Sequence, residues 1–219
     1  MKRELRISGD GSHTFYVPSM DETYHSLHGA LQESAHVFIE NGFRFVQRSP
    51  VRILELGFGT GLNVLLTIAA SNRSGVEVYY HTVEKYPLTS EEYQQLNYDR
   101  MIPDLPDDCS NTIHRAEWEC SIAVTKRFLL YKEKVDFRHT KPEGMFDLVY
   151  FDVFSPDKQP HLWETELFSR LYDLMNPGAA LVTYSSKGIV RRVLISCGFD
   201  VEKLPGPPGK REMTRAVKR

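Results

Sequence analysis

The 219-residue sequence contains only three cysteines, Cys109, Cys120 and Cys197, at wide and irregular spacing. An odd number of scattered cysteines provides neither a disulfide framework nor a zinc-ligand cluster. No apolar run approaches the roughly 18 residues that a membrane-spanning helix needs. The first residues, Met1 to Arg6, have no apolar stretch behind their basic side chains. These absences predict an unexported, soluble protein whose thiols stay reduced in the cytoplasm.

The composition is that of a folded globular protein. Hydrophobic residues make up 41% of the chain and charged residues 26%, with 12 Phe and 11 Tyr available for a core. This balance excludes a disordered or fibrous chain, and the length fits one core with a small appendage. The net charge of -2 conceals a basic end, since the chain from Lys187 onward has nine Lys and Arg against three Asp and Glu. That end is either a solvated charged face or a surface for an acidic partner.

Apolar spacing divides the chain into alternating strands and helices. Residues 3–18 alternate around Asp10-Gly11 and predict a β-hairpin, and the spacing over 26–41 predicts a helix. Two closing strands, 199–204 and 212–217, are too close for a helical crossover and must be antiparallel. Between these ends the sequence predicts strands at 51–56, 76–83, 128–135, 146–151 and 179–184, helices from 62, 89, 162 and 188, and an irregular stretch over 102–121. The alternation predicts an α/β fold around a mostly parallel sheet.

The most informative motif is Glu55-Leu56-Gly57-Phe58-Gly59-Thr60-Gly61, which follows one strand and opens a helix. Its glycines recur at every second residue, whereas the dinucleotide fingerprint G-x-G-x-x-G needs a glycine where Leu62 stands. The spacing therefore favours the loop of enzymes that use S-adenosylmethionine (SAM), in which the backbone passes close to the methionine and ribose portions of the ligand. The alternative is a plain strand-to-helix turn.

Acidic residues follow three further strands, at the sheet edge where parallel α/β folds bind ligands. Glu84 is placed to accept hydrogen bonds from both ribose hydroxyls, or is an ordinary surface acid, and Asp136 is placed to face the adenine amino group. Asp152 follows the strand beside the glycine loop and is the catalytic candidate, because its carboxylate can accept a proton from an attacking amine or orient that amine. Phe154 packs either on the substrate or on the core.

The sequence also contains a series of short blocks in a distinctive order. In chain order they are Tyr24-His25-Ser26, Gly29-Ala30, Glu33-Ser34, His36-Val37-Phe38, Glu55 to Asn63, Glu84 to Leu88, Phe151 to Pro156, Gln159-Pro160, Trp163, and Lys210 to Met213. These blocks resemble the tRNA methyltransferases that form 5-methylaminomethyl-2-thiouridine at the wobble position. That family comprises the methyltransferase half of the bifunctional enzyme MnmC and stand-alone MnmD-type relatives. The sequence departs from it at Val153 and Ser155, where the family usually has small residues.

The resemblance implies a class I SAM-dependent methyltransferase, a Rossmann-like fold with a mostly parallel seven-stranded sheet behind an N-terminal β-hairpin and helix. We expect residues 1–45 to cover the cofactor site and residues 46–219 to form the methyltransferase domain. The implied cofactor is SAM, which yields S-adenosylhomocysteine, with no metal. No FAD is expected, because nothing in the sequence corresponds to the flavin-dependent oxidase half of MnmC.

Site residues follow from the motifs and from the resemblance together. Asp152 is expected to be the catalytic residue and also to contact the cofactor. The residues assigned to cofactor binding are Glu55, Gly57, Gly59, Gly61, Asn63, Glu84, Lys85, Asp136 and Asp152. The residues assigned to substrate binding are Phe154, Lys187, Arg191, Arg192, Lys210 and Arg211. The basic members of the second set are expected to contact phosphates, which would account for the basic end of the chain.

The implied function is N-methylation of the 5-aminomethyl group of wobble (2-thio)uridine in tRNA. The expected partner is the anticodon stem-loop of tRNA, with no membrane contact, and the protein is expected to be a monomer or a weak dimer. Two alternatives stay open at this point. One is methyl or aminopropyl transfer to a small-molecule amine, and the other is a SAM-binding protein without turnover.

Overall fold

The computed structural model describes residues 1–219. The strands, in chain order, are β1 (Glu4–Ile7), β2 (His13–Val17), β3 (Glu22–Thr23), β4 (Val51–Leu56), β5 (Val78–Val83), β6 (Ser121–Thr125), β7 (Phe128–Glu133), β8 (Phe146–Phe151), β9 (Met175–Thr183), β10 (Phe199–Pro205) and β11 (Glu212–Lys218). The helices are α1 (Ala30–Ser34), which continues as a π-helix (Ala35–Phe43), then α2 (Leu62–Ser74), α3 (Ser90–Tyr93), α4 (Tyr98–Met101), α5 (Cys109–Arg115), α6 (Thr165–Asp173) and α7 (Gly188–Ser196). A 3₁₀ turn spans Pro160–Leu162.

The main sheet has eight strands in the order β10-β11-β9-β8-β4-β5-β7-β6. Strands β9, β8, β4, β5 and β7 are parallel, and β11 runs antiparallel between β9 and β10. The predicted α/β class and the antiparallel closing pair are confirmed. The predicted number of seven strands is wrong, because β6 adds an antiparallel edge strand beside β7. None of the residues of β6 is buried, so apolar spacing gave no signal for it.

Two hydrophobic layers cover the faces of the sheet. Neighbouring residues of β4 show the division, since Ile53 packs with α2 and the 30–43 helix whereas Leu54 packs with α6 and α7. Both side chains are completely buried. Strands covered on both faces are apolar along their whole length, which explains the continuous apolar run at 51–56.

The N-terminal hairpin is confirmed, and it gains a third short strand, β3. The helix predicted at 26–41 instead begins at Ala30 and ends at Phe43. Its first N–H groups are capped from the hairpin turn: Ser8 Oγ accepts from Ala30 (3.1 Å), and Asp10 Oδ2 accepts from Gln32 (3.0 Å). A cap supplied from a distant segment fixes the start of this helix, and sequence spacing cannot show it.

The hairpin is held against the segment that follows β5. Arg3 forms an ion pair with Glu92 (Nη1 to Oε2, 2.8 Å), and Phe15 packs on Leu88 and Tyr93. The 30–43 helix shares its core with α2. The boundary between residues 45 and 46 stays a prediction. These contacts carry residues 22–26 across the carboxyl ends of the strands, where the site lies.

Candidate active site

A cavity of about 330 Å³ lies at the carboxyl ends of the parallel strands. Its size and position are those of a small-molecule site in an open α/β sheet. Most of the residues that the sequence assigned to the site line it: Gly57, Gly59, Asn63, Glu84, Lys85, Asp136, Asp152, Phe154 and Lys210. The remaining assigned residues do not reach its wall: Glu55, Gly61, Lys187, Arg191, Arg192 and Arg211.

The glycine loop holds three strand ends together. Gly57 has φ +104°, and a Cβ there would collide with the carbonyl oxygen of Asp152 at the end of β8. The Gly57 N–H donates to Val83 O at the end of β5 (3.0 Å). The close approach of β4 to β8 therefore requires a glycine at position 57 whether or not a ligand is bound.

Glu84 combines burial with two backbone hydrogen bonds. One carboxylate oxygen accepts from the Gly59 N–H (3.0 Å) and the other from the Tyr86 N–H (2.7 Å). Burial raises the pKa of Glu84 above its usual value. Each oxygen keeps a further lone pair, so the carboxylate can accept two more hydrogen bonds from a ligand in the cavity.

Asn63, in the first turn of α2, joins two carboxyl groups. Its Nδ2 donates to Asp152 Oδ2 (2.8 Å) and to Glu55 Oε1 (3.1 Å), while its Oδ1 is buried without a partner. Thr82 also donates to Glu55 (2.6 Å). Burial raises the pKa of Asp152 to about 7 and that of Glu55 to about 8. Glu55 therefore lies beneath the cavity and reaches it only through Asn63.

Asp136 lies at the cavity but is already paired. Arg138 donates to it through Nε (3.0 Å) and Nη2 (2.9 Å), and Lys85 Nζ donates at 2.9 Å. These two cations hold the pKa of Asp136 well below its usual range. The Arg138 backbone N–H donates to the same carboxylate (3.0 Å), so four donors already use its lone pairs. An adenine amino group could therefore bind Asp136 only if Lys85 moved away. The adenine role stays a prediction.

The basic residues assigned to the substrate differ in their surroundings. Lys210 lies in the cavity, where it pairs with the buried carboxylate of Glu33. Lys187 pairs with Asp157, and Arg191 pairs with Glu212. Arg192 and Arg211 are exposed and have no carboxylate within 4.0 Å. Their phosphate contacts stay a prediction.

The N-terminal segment and β9 contribute residues for which the sequence analysis proposed no role. Tyr24 packs edge-on against Phe154, with ring centroids 5.1 Å apart. His25 Nε2 lies 2.7 Å from Thr60 Oγ1, and burial lowers the pKa of this histidine to about 4, so it is neutral. Tyr184 follows β9 and, with Glu33, stands near Asp152. The only early signal for Tyr24, His25 and Glu33 was their place in the family-like blocks.

No group of three or more His, Cys, Asp or Glu side chains is arranged to hold a metal ion. No helix combines the length and the apolar character that crossing a membrane requires.

Comparison with known proteins agrees with this geometry. The profile of a family described as S-adenosyl-L-methionine-dependent methyltransferase matches residues 121–219. The crystal structure of MnmC2 from Aquifex aeolicus superposes on the whole chain with a TM-score of 0.83 and 26% identity, and 70% of that chain is covered. The chain is thus similar to this methyltransferase family over residues 121–219 and to MnmC2 over its whole length. The predicted resemblance to this family and the predicted fold class are therefore confirmed.

Two curated relatives from bacteria extend the match to nearly the full length of this chain. The tRNA 5-methylaminomethyl-2-thiouridine biosynthesis bifunctional protein MnmC of Cupriavidus metallidurans is 34% identical over 96% of the chain, and its counterpart in a Marinomonas species is 32% identical over 89%. The chain spans about a third of the length of these relatives, 33% and 31%. Spermidine synthase from Thermotoga maritima shares only the fold, with a TM-score of 0.57 at 15% identity.

The contact at Gly57 generates a stability prediction with a matched control. Gly75 also has a positive φ, +75°, but a Cβ there meets nothing within 4 Å. Alanine at either position costs about 1–2 kcal/mol of backbone strain. Gly57→Ala adds the collision with Asp152, roughly 1–3 kcal/mol. Urea unfolding should therefore show a larger loss of unfolding free energy for Gly57→Ala than for Gly75→Ala. Equal losses would contradict the steric requirement for glycine at position 57.

The buried Asp152 carboxyl predicts a pH-dependent effect on stability. Its pKa is about 7 in the folded protein against an ordinary 3.8, so the folded state holds a proton that the unfolded chain has lost between these pH values. Stability therefore falls as the pH rises through this window, and the full penalty is present above pH 7. Because Asn cannot ionise, Asp152→Asn should stabilise the protein by roughly 2–3 kcal/mol more at pH 8 than at pH 5.

Thermal unfolding at the two pH values measures this difference. Asp157→Asn is the control, because that carboxylate is 73% exposed. A stabilisation by Asp152→Asn that is the same at pH 5 and pH 8 would contradict the assignment.

Proposed function

We propose that this protein methylates the 5-aminomethyl group of wobble (2-thio)uridine in tRNA. The observation that carries the proposal is the match over nearly the whole chain to proteins named for 5-methylaminomethyl-2-thiouridine biosynthesis. The site supports it, because the cavity combines a glycine loop with carboxylates and aromatic rings that suit an amine.

The residues of the cavity fit SAM. Asn63 Oδ1 is a buried acceptor without a partner, and Glu84 keeps two free lone pairs for the ribose hydroxyls. Gly57 and Gly59 would lie along the methionine and ribose portions. When bound, SAM would supply a methyl group on a positive sulfur, which would keep the electron pair of the broken C–S bond when the amine nitrogen bonds to the methyl carbon.

Asp152 would act on the amine side of the cavity. The attacking nitrogen needs a free lone pair, and the methylated nitrogen must lose a proton. A carboxyl with a pKa of about 7 accepts a proton readily near neutral pH. Asn63 holds Oδ2 of this carboxylate by a 2.8 Å hydrogen bond, so the group is oriented before the substrate arrives.

The rest of the proposal concerns the setting of the reaction. The anticodon stem-loop of tRNA would contact Arg192 and Arg211, which have no protein partner, and Lys187, Arg191 and Lys210 after their ion pairs open. Residues 1–45 would cover the cofactor site of the domain formed by 46–219. The protein would act in the cytoplasm as a monomer or weak dimer, using SAM and neither a metal nor FAD.

The proposal is tested by methyl transfer from labelled SAM to undermodified tRNA that carries the 5-aminomethyl group. The expected result is incorporation into this tRNA, and none into tRNA that lacks the group. Incorporation should weaken with salt, at a log–log slope of roughly 0.7 to 0.9 per phosphate contacted, because counterions are released.

Putrescine and the free nucleoside serve as competing acceptors in the same assay. Transfer to putrescine without transfer to tRNA would contradict the proposal in favour of a small-amine enzyme. SAM binding without transfer to any acceptor would favour a protein without turnover. Arg192→Gln and Arg211→Gln should flatten the salt dependence without changing the affinity for SAM.

A further inference from the structure

The loop between β10 and β11 inserts a lysine into the active-site cavity. Lys210 Nζ pairs with the Glu33 carboxylate, and it lies 4.2 Å from the centroid of the Tyr184 ring. Glu33 is only 6% exposed, and its other oxygen accepts from the Ser26 N–H (2.8 Å). A buried carboxylate and an aromatic face thus enclose one ammonium group.

This enclosure adjoins the catalytic carboxylate. The Tyr184 hydroxyl donates to the carbonyl oxygen of Val153 (2.8 Å), the residue after Asp152, so the ring is fixed beside it. The charges of Glu33 and Lys210 both act on Asp152, the first raising its pKa and the second lowering it. An ammonium bound between Glu33 and Tyr184 is therefore within electrostatic reach of the proton acceptor.

A carboxylate with an aromatic face is the combination that recognises alkylammonium ions. The end of a lysine side chain is a CH₂–NH₃⁺ group, and so is a protonated 5-aminomethyl substituent. The two groups therefore compete for the same partners. We propose that Glu33 and Tyr184 form the acceptor-amine subsite, which the Lys210 ammonium occupies until tRNA binds and draws it away to a phosphate. This inference rests on the proposed function.

Charge balance makes the exchange specific for a nucleic acid. When the acceptor amine replaces Lys210 on Glu33, the freed ammonium needs a new anion, and a tRNA phosphate supplies it. A free amine or nucleoside brings no phosphate, so it must displace Lys210 without compensation. The internal ion pair thus selects tRNA over small amines.

The loop is built to let the lysine move. Its 33% exposed side chain has a flexible four-carbon stem. Pro207 is buried, and its carbonyl oxygen accepts from the Lys210 N–H (2.9 Å), so the backbone is held while the side chain is not. Arg211, the residue after Lys210, is exposed. A phosphate that contacts Arg211 would lie one residue away from Lys210.

The test is calorimetric binding of 5-aminomethyluridine, a nucleoside without phosphate, to protein saturated with S-adenosylhomocysteine. Lys210→Met keeps most of the length of the unbranched side chain and removes its charge. The variant should bind this nucleoside about tenfold more tightly than the wild type, because no ion pair must be broken. It should also bind undermodified tRNA more weakly, by a factor of about 3 to 10 from one lost phosphate contact. Uridine, which lacks the amine, should bind both proteins equally.

Two further variants separate this exchange from its alternatives. Arg211→Gln should weaken tRNA binding without tightening nucleoside binding. Glu33→Gln should weaken binding of 5-aminomethyluridine, with a melting temperature measured to show that the variant folds. If Lys210→Met weakens the binding of both the nucleoside and tRNA, the lysine contacts the substrate directly and is not displaced by it, and the inference is wrong. If the variant instead weakens the binding of SAM, Lys210 holds the cofactor, and the inference is again wrong.

The results that would contradict the acceptor-amine subsite differ from those that would contradict the proposed function. Failure of the wild type to methylate tRNA contradicts the proposed function. Unchanged or weaker nucleoside binding by Lys210→Met contradicts only the subsite.

Discussion

The close approach of β4 to β8 is the constraint on which the site depends. Gly57 has no side chain and a positive φ, so the end of β4 can pass against the carbonyl of Asp152. That approach puts Asp152 within 2.8 Å of the Asn63 amide in the first turn of α2. The same amide reaches Glu55 at 3.1 Å, so one side chain joins the strand, the helix and the catalytic candidate. The glycine loop therefore holds strand ends of the sheet together, in addition to lining the cavity.

Local patterns were sufficient for the central sheet and for the acids at its edge. The apolar run at 51–56, the glycines after it and the position of Asp152 were all visible in the sequence, because buried parallel strands place their carboxyl ends at one edge. Other features depend on distant partners. Asp10 caps a helix from another segment, and β6 forms with none of its residues buried, so neither leaves a periodic signal.

The basic end of the chain shows that the sequence alone also cannot reveal which charged side chains form ion pairs. The sequence presented Lys187, Arg191 and Lys210 as one basic set, but each has a different acidic partner in the fold: Asp157, Glu212 and Glu33. Composition counts charges, whereas only the fold shows which of them are already paired. Lys210 forms its ion pair inside the cavity, whereas Arg192 and Arg211 lie outside it.

The proposed function requires that this protein adds the methyl group at the wobble position of tRNA. The most direct measurement is mass spectrometry of wobble nucleosides in tRNA from a strain that lacks the gene. We expect the 5-aminomethyl nucleoside to accumulate and the methylated one to disappear. A gene copy encoding the wild type should restore the methylated nucleoside, and one encoding Asp152→Asn should not. An unchanged level of the methylated nucleoside in the deletion strain would contradict the account.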